Sequence, residues 1–575
     1  MKFWLLVLAA PALLAQQAED QVLRAMRDEV ARAAELKFPT LESPYFVELT
    51  LDDGRSVSAA ATLGALVRSG ENRFRIPNVR IRVGSYQFDD TNYVGSGMQF
   101  ARGYDFSRFP LDDSYAVLRR MFWLAIDTEY KSSVQTIARK RAALKSVTVT
   151  ENLPDFGRVE PVKLLEAVRL EGVDRTAWEA KVRQWSAIFT GFPALSSSNV
   201  DFEEIRNVRY QVNSEGTQIR RFEHLAIVKV RARAQASDGM PVWSARTFVA
   251  MRGTVLMDDP AIPRAISQMA ELLTEMTKAP VAESYSGPVL FEGEASPQLF
   301  AQALGKNLAL FRRPVSEPGR QGGFPSSDLE GKQGSRILPE WMDVVDDPTQ
   351  VDWRGRTLMG HYKVDQEGVL AGPVSLVEKG VLKNFLLTRQ PMRGFSQSNG
   401  RARLPGSFGA YGAAFSNLFV QARETMPAAG LKTKLLEMIK ARGKPYGLVV
   451  RKLDYPSAST FDELRRLLTA AGRGSAPPVS PPVAVYRVYP DGREELVRGL
   501  RFRGLGVRSL RDIQAASDDM HAFDLLDNGI PLAMMGMGSL VAETTIVAPS
   551  VLIDDVDLDR VDEEFPKPPI VPPPS

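Results

Sequence analysis

Residues 287–314, GPVLFEGEASPQLFAQALGKNLALFRRP, constrain the fold more than any other stretch. The apolar run at 289–291 reads as a buried strand, Glu292 and Glu294 follow it, and residues 296–310 read as a helix. A strand feeding directly into a helix calls for a sheet with helices laid on it. The order is that of a strand leading into a helix that carries a site. The middle of the helix, however, runs Ala301, Gln302, Ala303, Leu304, Gly305, Lys306, with no metal ligand among them.

The other bounds narrow what such a site could do. At 575 residues the chain has room for about two or three domains. A hydrophobic fraction of 44% with 25% charged residues suits a globular protein with a large core. The net charge is only +3 and basic residues are dispersed among acidic ones, which argues against a nucleic-acid footprint. The absence of cysteine removes disulfides, Cys-ligated zinc, iron–sulfur clusters and thiol catalysis together. Only His224, His361 and His521 are present, and each reads as an ordinary polar or packed residue before it reads as a ligand.

Residues 1–15, MKFWLLVLAAPALLA, have the form of a secretory signal: Lys2, an apolar run over 3–14, and Leu13 and Ala15 before a cleavage point at Gln16. The run is shorter than the roughly 20 residues that span a bilayer. The expectation is a cleaved signal, no stable membrane span afterwards, and a periplasmic or secreted bacterial protein.

Along the mature chain, residues 17–36 pattern as an amphipathic helix with Val22, Met26, Val30 and Ala33 on one stripe. Residues 45–51 alternate as a strand, Asp53-Gly54 reads as a hairpin turn, and strands follow at 59–66 and 78–83. Helices are expected at 112–144, 161–170, 175–189 and 261–279, with a hairpin at 208–219 and strands at 224–232 and 247–256. Residues 312–335 form a long Gly/Pro-rich loop, and the chain beyond 343 turns to short strands. Helices at 432–442 and 460–471, a hairpin turning at Asp491-Gly492, and a closing strand region at 546–558 complete the reading.

Several constellations invite chemistry and read more simply as structure. Glu292 and Glu294 fit the positive end of a helix better than a general acid/base pair. Lys306 reads as a helix-surface lysine rather than a catalytic amine. His361, Asp365 and Glu367 resemble a cation site, but Asp365-Gln366-Glu367-Gly368 reads as a turn between strands. Ser396, Ser398 and Ser407 lie in irregular chain without a nucleophile-elbow pattern.

Four segments taken in order resemble the TldD/PmbA family of metallopeptidases and their non-metal partner subunits. They are VNSEGTQIRR (212–221), GPVLFEGEASPQLFAQALG (287–305), VVDDPT with VDQEGVLAGPVSLVEKGVLKNFLLTR (344–389), and VAPSVLIDDVDL (547–558). In peptidase members the helix carries His-Glu-x-x-x-His: two zinc ligands and a general base, with a C-terminal cysteine as third ligand. The resemblance maps the first histidine onto Ala301, the glutamate onto Gln302 and the second histidine onto Lys306. The cysteine falls near 534–537, where Met534 and Met537 stand. An alanine has no donor atom, a glutamine cannot take a proton from water, and a lysine cation repels a divalent ion. Zinc is thus expected in active relatives, with its ligands absent here, no intact catalytic or metal residue, and no cofactor.

The fold expected is α+β: an N-terminal helix/sheet region over residues 16–285, then a larger sheet-rich TldD/PmbA-like domain over 286–564 and a disordered Pro-rich tail at 565–575. The function implied is that of a metallopeptidase homologue acting as a non-catalytic partner subunit or a binder of peptide or unfolded polypeptide. It would pair with a metal-bearing TldD-like subunit as a heterodimer, or with itself as a homodimer. The alternative is a hydrolase using other residues of the same cavity.

Overall fold

The computed structural model describes residues 20–37, 39–95, 109–146, 152–168, 172–316, 326–405, 411–457, 479–527 and 542–567. The expected signal at 1–15, the helix at 460–471, residues 534–537 and the end of the tail lie outside them.

Two sheets organise the chain. The first has Ala65–Val83, Pro44–Thr62, Leu195–Asn213 and Gln218–Gln235 as consecutive antiparallel neighbours, with Pro241–Ala250 and the short parallel Lys163–Leu165 pairing on Gln218–Gln235. Helix α1 (Gln21–Ala34) is started by the Asp20 carboxylate, which accepts from Leu23 N, and buries Val22, Met26, Val30 and Ala33. With α2 (Tyr115–Leu144) it covers Val208, Tyr210 and Val212 of the sheet. Helix α3 (Arg175–Ala187) and the later helix Ala261–Met276 cover Val200 and Phe202 further along the same face.

Two expectations fail here for local reasons. The chain does not turn at Asp53-Gly54: Pro44–Thr62 runs straight through, and the turn is Leu63-Gly64, both at positive φ as a two-residue hairpin requires. Gly54 is there for space. A Cβ at that position would lie 2.2 Å from the Phe74 ring across the pair. Nor is the described part of the expected helix at 161–170, residues 161–168, helical. Lys163–Leu165 is a strand, and Val162 O and Thr217 Oγ1 tie its start to the Gln218–Gln235 strand.

The second sheet has eleven strands around Ala542–Arg560, which pairs with Asn417–Ala422, Tyr285–Phe291, Leu500–Arg503 and Ile513–Asp527. Tyr285–Phe291 is buried on both faces, which explains its unbroken apolar run. Val289 and Phe291 enter the large core, and Leu290 points the other way, under the helix Ala428–Ala441. Among the described residues no helix is long and apolar enough to cross a membrane.

Candidate functional site

The helix expected over 296–310 is shorter. Its α-helical part is Ala295–Ala303, and Gly305–Leu308 is a separate 3-10 turn. Gly305 fits there because a side chain would meet the Phe415 ring at 2.7 Å. The break keeps positions 301 and 306 off one continuous α-helical face. Ala301 is 0% exposed within the large core. Gln302 spends its amide internally, with Oε1 accepting from Ser480 N at 2.9 Å and Nε2 donating to Gln298 O at 3.1 Å. Lys306 is exposed, its Nζ 5.2 Å above the Tyr455 ring. As a donor set for zinc, a methyl, a neutral amide and an ammonium do not fit.

The carboxylates ahead of the helix are also committed. Glu292 pairs with Arg451 Nε at 2.7 Å. Glu294 accepts from Gln298 Nε2 at 3.2 Å and faces Lys452 and Arg246 at 3.7 and 3.6 Å. They are not arranged as an acid/base pair. The Ser398 hydroxyl is a backbone clip between Leu387 O and Gly400 N, and Ser407 lies outside the described residues.

A second place is richer in chemistry. The first sheet turns its helix-free face toward the C-terminal half of the chain, and that face is polar yet buried. Asp52, Asn207, Arg209 and Gln211 are all under 9% exposed. Asp52 holds Arg209 Nη1 at 3.0 and 3.2 Å and accepts from Asn207 at 2.8 Å. The turn at 365–368 is set on this face. The Asp365 carboxylate accepts from the backbone N–H groups of Glu367, Val369 and Ala402 at 2.9–3.0 Å, and Gln211 donates to Gln366 O. Glu367 turns away to accept from Arg389 N. Arg389 in turn grips Glu215 with both Nη atoms at 2.7 and 2.8 Å.

Between the polar face and this turn lies a cavity of about 280 Å³, to which Arg209, Arg221, Glu223 and His224 contribute from the sheet. His361, Asp365, Arg403 and Glu543 contribute from the C-terminal half. Two of the three histidines therefore border one cavity, although the sequence separates them widely. His224 Nε2 is 2.8 Å from Glu204 Oε1, and His361 Nδ1 is 2.8 Å from Pro348 O. His521 stands apart, 3.0 Å from Asp519. Burial and the neighbouring Glu367 carboxylate push Asp365 up to about 7. Burial also raises Glu543, which Arg403 at 3.6 Å only partly offsets. Burial opposes the Glu223 carboxylate too, but Arg221 and Arg209 outweigh it and hold its pKa below the usual range. Among the described residues no three His, Asp or Glu side chains gather to hold a metal ion.

Sequence reasoning named His361 and Asp365 together but not Arg209, Glu223, Arg403 or Glu543. The available signal was the alternation of charge inside strands 206–213 and 219–224, which reads as a wet face until a second domain covers it.

Residues 284–460 match the family described as PmbA/TldA metallopeptidase C-terminal domain. A metalloprotease of Methanothermobacter thermautotrophicus is 28% identical over 195 residues, which is 34% of this chain and 39% of that protein. The chain thus spans well under half the length of the curated relatives it matches. TldE from Thermococcus kodakarensis superposes with a TM-score of 0.55 at 12% identity, covering 93% of this chain and all of that one. A Thermotoga maritima protein described as a candidate modulator of DNA gyrase gives 0.54 at 16% identity, over 89% of this chain and 96% of its own. At these identities the structural likeness is one of fold. Residues 284–460 are thus similar to a PmbA/TldD-type C-terminal domain, and the chain as a whole shares the fold of the TldE structure.

Proposed function

We propose that this chain is a non-catalytic member of its family: a partner subunit of a TldD-like metallopeptidase, or a binder of peptide or unfolded polypeptide. The observation that carries the reading is the state of α6 (Ala295–Ala303) and the turn after it. Ala301 is core, the Gln302 amide is spent on Ser480 and Gln298, and Lys306 lies on Tyr455. A zinc-bound water needs ligands that hold the ion and a base that takes the proton, and none of these side chains supplies either. The signal-like residues 1–15 support a periplasmic or secreted location. The family resemblance supports a heterodimer with a metal-bearing subunit, with a homodimer as the other arrangement.

The test is peptide cleavage by the purified mature chain, alone and with a metal-bearing relative, with and without chelator. No cleavage alone, and retention of the relative in a pull-down, is the expected result. Chelator-sensitive cleavage by this chain alone contradicts the reading. Chelator-insensitive cleavage, lost on His361→Gln, would favour the second reading of a hydrolase that uses the cavity residues, to which His224 and His361 lend some support.

A further inference from the structure

Two residues that line the cavity carry buried polar atoms without a protein partner. Arg209 is 5% exposed, and its Nε has no hydrogen-bond partner although Nη1 is bound to Asp52. Gln366 Oε1, on the opposite wall, is likewise buried without a partner. Buried polar groups are normally satisfied, so two unsatisfied ones on residues that line one cavity mark a wall whose bonding is incomplete. Glu223 and Glu543 retain 37% and 34% of their side-chain surface. Both border the cavity, so that surface is available to an occupant.

The walls carry groups of both signs. Arg209, Arg221 and Arg403 stand against Glu223, Asp365 and Glu543. The cations are held firmly: Arg221 by Glu223 Oε1 and Val364 O, Arg403 by Phe415 O and Glu543 O, with its guanidinium 4.6 Å over the Tyr362 ring. An ion of one sign entering such a space gains from half of the wall and loses to the other half. A compact molecule carrying both signs gains from both, and the gain is larger in a site of reduced dielectric than in water. The volume of about 280 Å³ lies at the small end of ligand pockets, which suits one or two amino-acid residues rather than a folded segment. Lys363 and Glu166, paired at 2.9 Å, and the part-exposed Met251 stand toward solvent at its mouth.

We propose that this cavity binds a zwitterion of amino-acid or dipeptide size, its carboxylate toward Arg209 and Arg403 and its ammonium toward Glu223 and Glu543. The site is separate from α6, and the inference goes beyond the partner-subunit reading because it concerns this chain alone and needs neither a partner nor cleavage.

The test is calorimetric titration of the mature full-length chain with alanyl-alanine, its N-acetyl form and its C-terminal amide. Saturable binding of the free dipeptide is expected, weakened about tenfold by either cap, as for loss of one charge-assisted contact. Glu543→Gln is expected to weaken the free dipeptide about tenfold and to leave the N-acetyl form unchanged, since the ammonium it pairs with is already gone. His361→Gln, checked for the same thermal midpoint as the parent, is expected to change affinity less. Equal binding of capped and free forms, or no saturation up to about 10 mM, overturns the proposal. Equal weakening of capped and free dipeptide by Glu543→Gln also overturns it, because the effect would then be structural.

Discussion

Helix α6 buries all nine of its residues, and its two glutamines bond only to neighbouring chain. The cavity under the first sheet is its opposite: six ionisable side chains on the walls, with Arg209 Nε and Gln366 Oε1 left without partners. Both regions are buried, but burial means different things in each. In α6 it closes the structure, because Ser296, Gln298 and Gln302 are bonded to Pro549 O, Tyr455 O and Ser480 N and the other six residues are apolar. At the polar face of the sheet it creates demand, because each ion removed from water must be answered by another group. The helix therefore serves the core, while ionisable side chains collect where two halves of the chain bury charge against each other.

The comparison breaks most easily at Asp52. Asp52→Ala strands the Arg209 guanidinium, and loss of one partner of a buried pair costs about 3–5 kcal/mol. Urea denaturation is expected to show that loss, and a near-parental midpoint would mean the polar face is open to water. Next comes Ala301→His. The site is 0% exposed and packed, so the added ring overfills the core and costs about 1–3 kcal/mol. Thermal melts with and without zinc should coincide for this variant, and a zinc-dependent rise would mean that ligand geometry survives.

A smaller effect comes from pH. Burial and the Asp89 charge push Asp90 up to about 7, and burial with Glu367 does the same for Asp365. In the unfolded chain such groups titrate near about 4. Between about 4 and about 7 the folded state holds more protons than the unfolded one, so stability falls as pH rises through that window. The depressed carboxylates Asp89, Glu223 and Asp238 act with the opposite sign, but at lower pH. The urea midpoint is expected to be lower at pH 8 than at pH 5.5, with the difference reduced in Asp90→Asn. A higher midpoint at pH 8 contradicts this. The smallest effect is Lys306→Ala, which removes an exposed cation–ring contact worth about 0.5–1 kcal/mol.

Much of α6's surroundings was legible in the sequence. The apolar run at 289–291, the acidic residues after it and the resemblance-mapped positions 301, 302 and 306 all fall where local pattern has force. Boundaries set by tertiary contact were not legible. Gly54 looked like a turn because a glycine that admits a ring from the next strand cannot be told from one that supplies positive φ. The α-helix ends at Ala303, and Gly305 beyond it lies against Phe415, more than a hundred residues away. The cavity was least legible, because Arg209, Arg403 and Glu543 come from three distant segments and each alone resembles a solvated strand residue.

The central proposal is that the helix Ala295–Ala303 and the turn after it pack as core and hold no zinc. Elemental analysis of the purified mature chain, after dialysis against zinc and then against metal-free buffer, tests it most directly. The expected result is far less than one zinc per chain, the same in the parent and in Lys306→Ala. One tightly held zinc per chain would contradict the account.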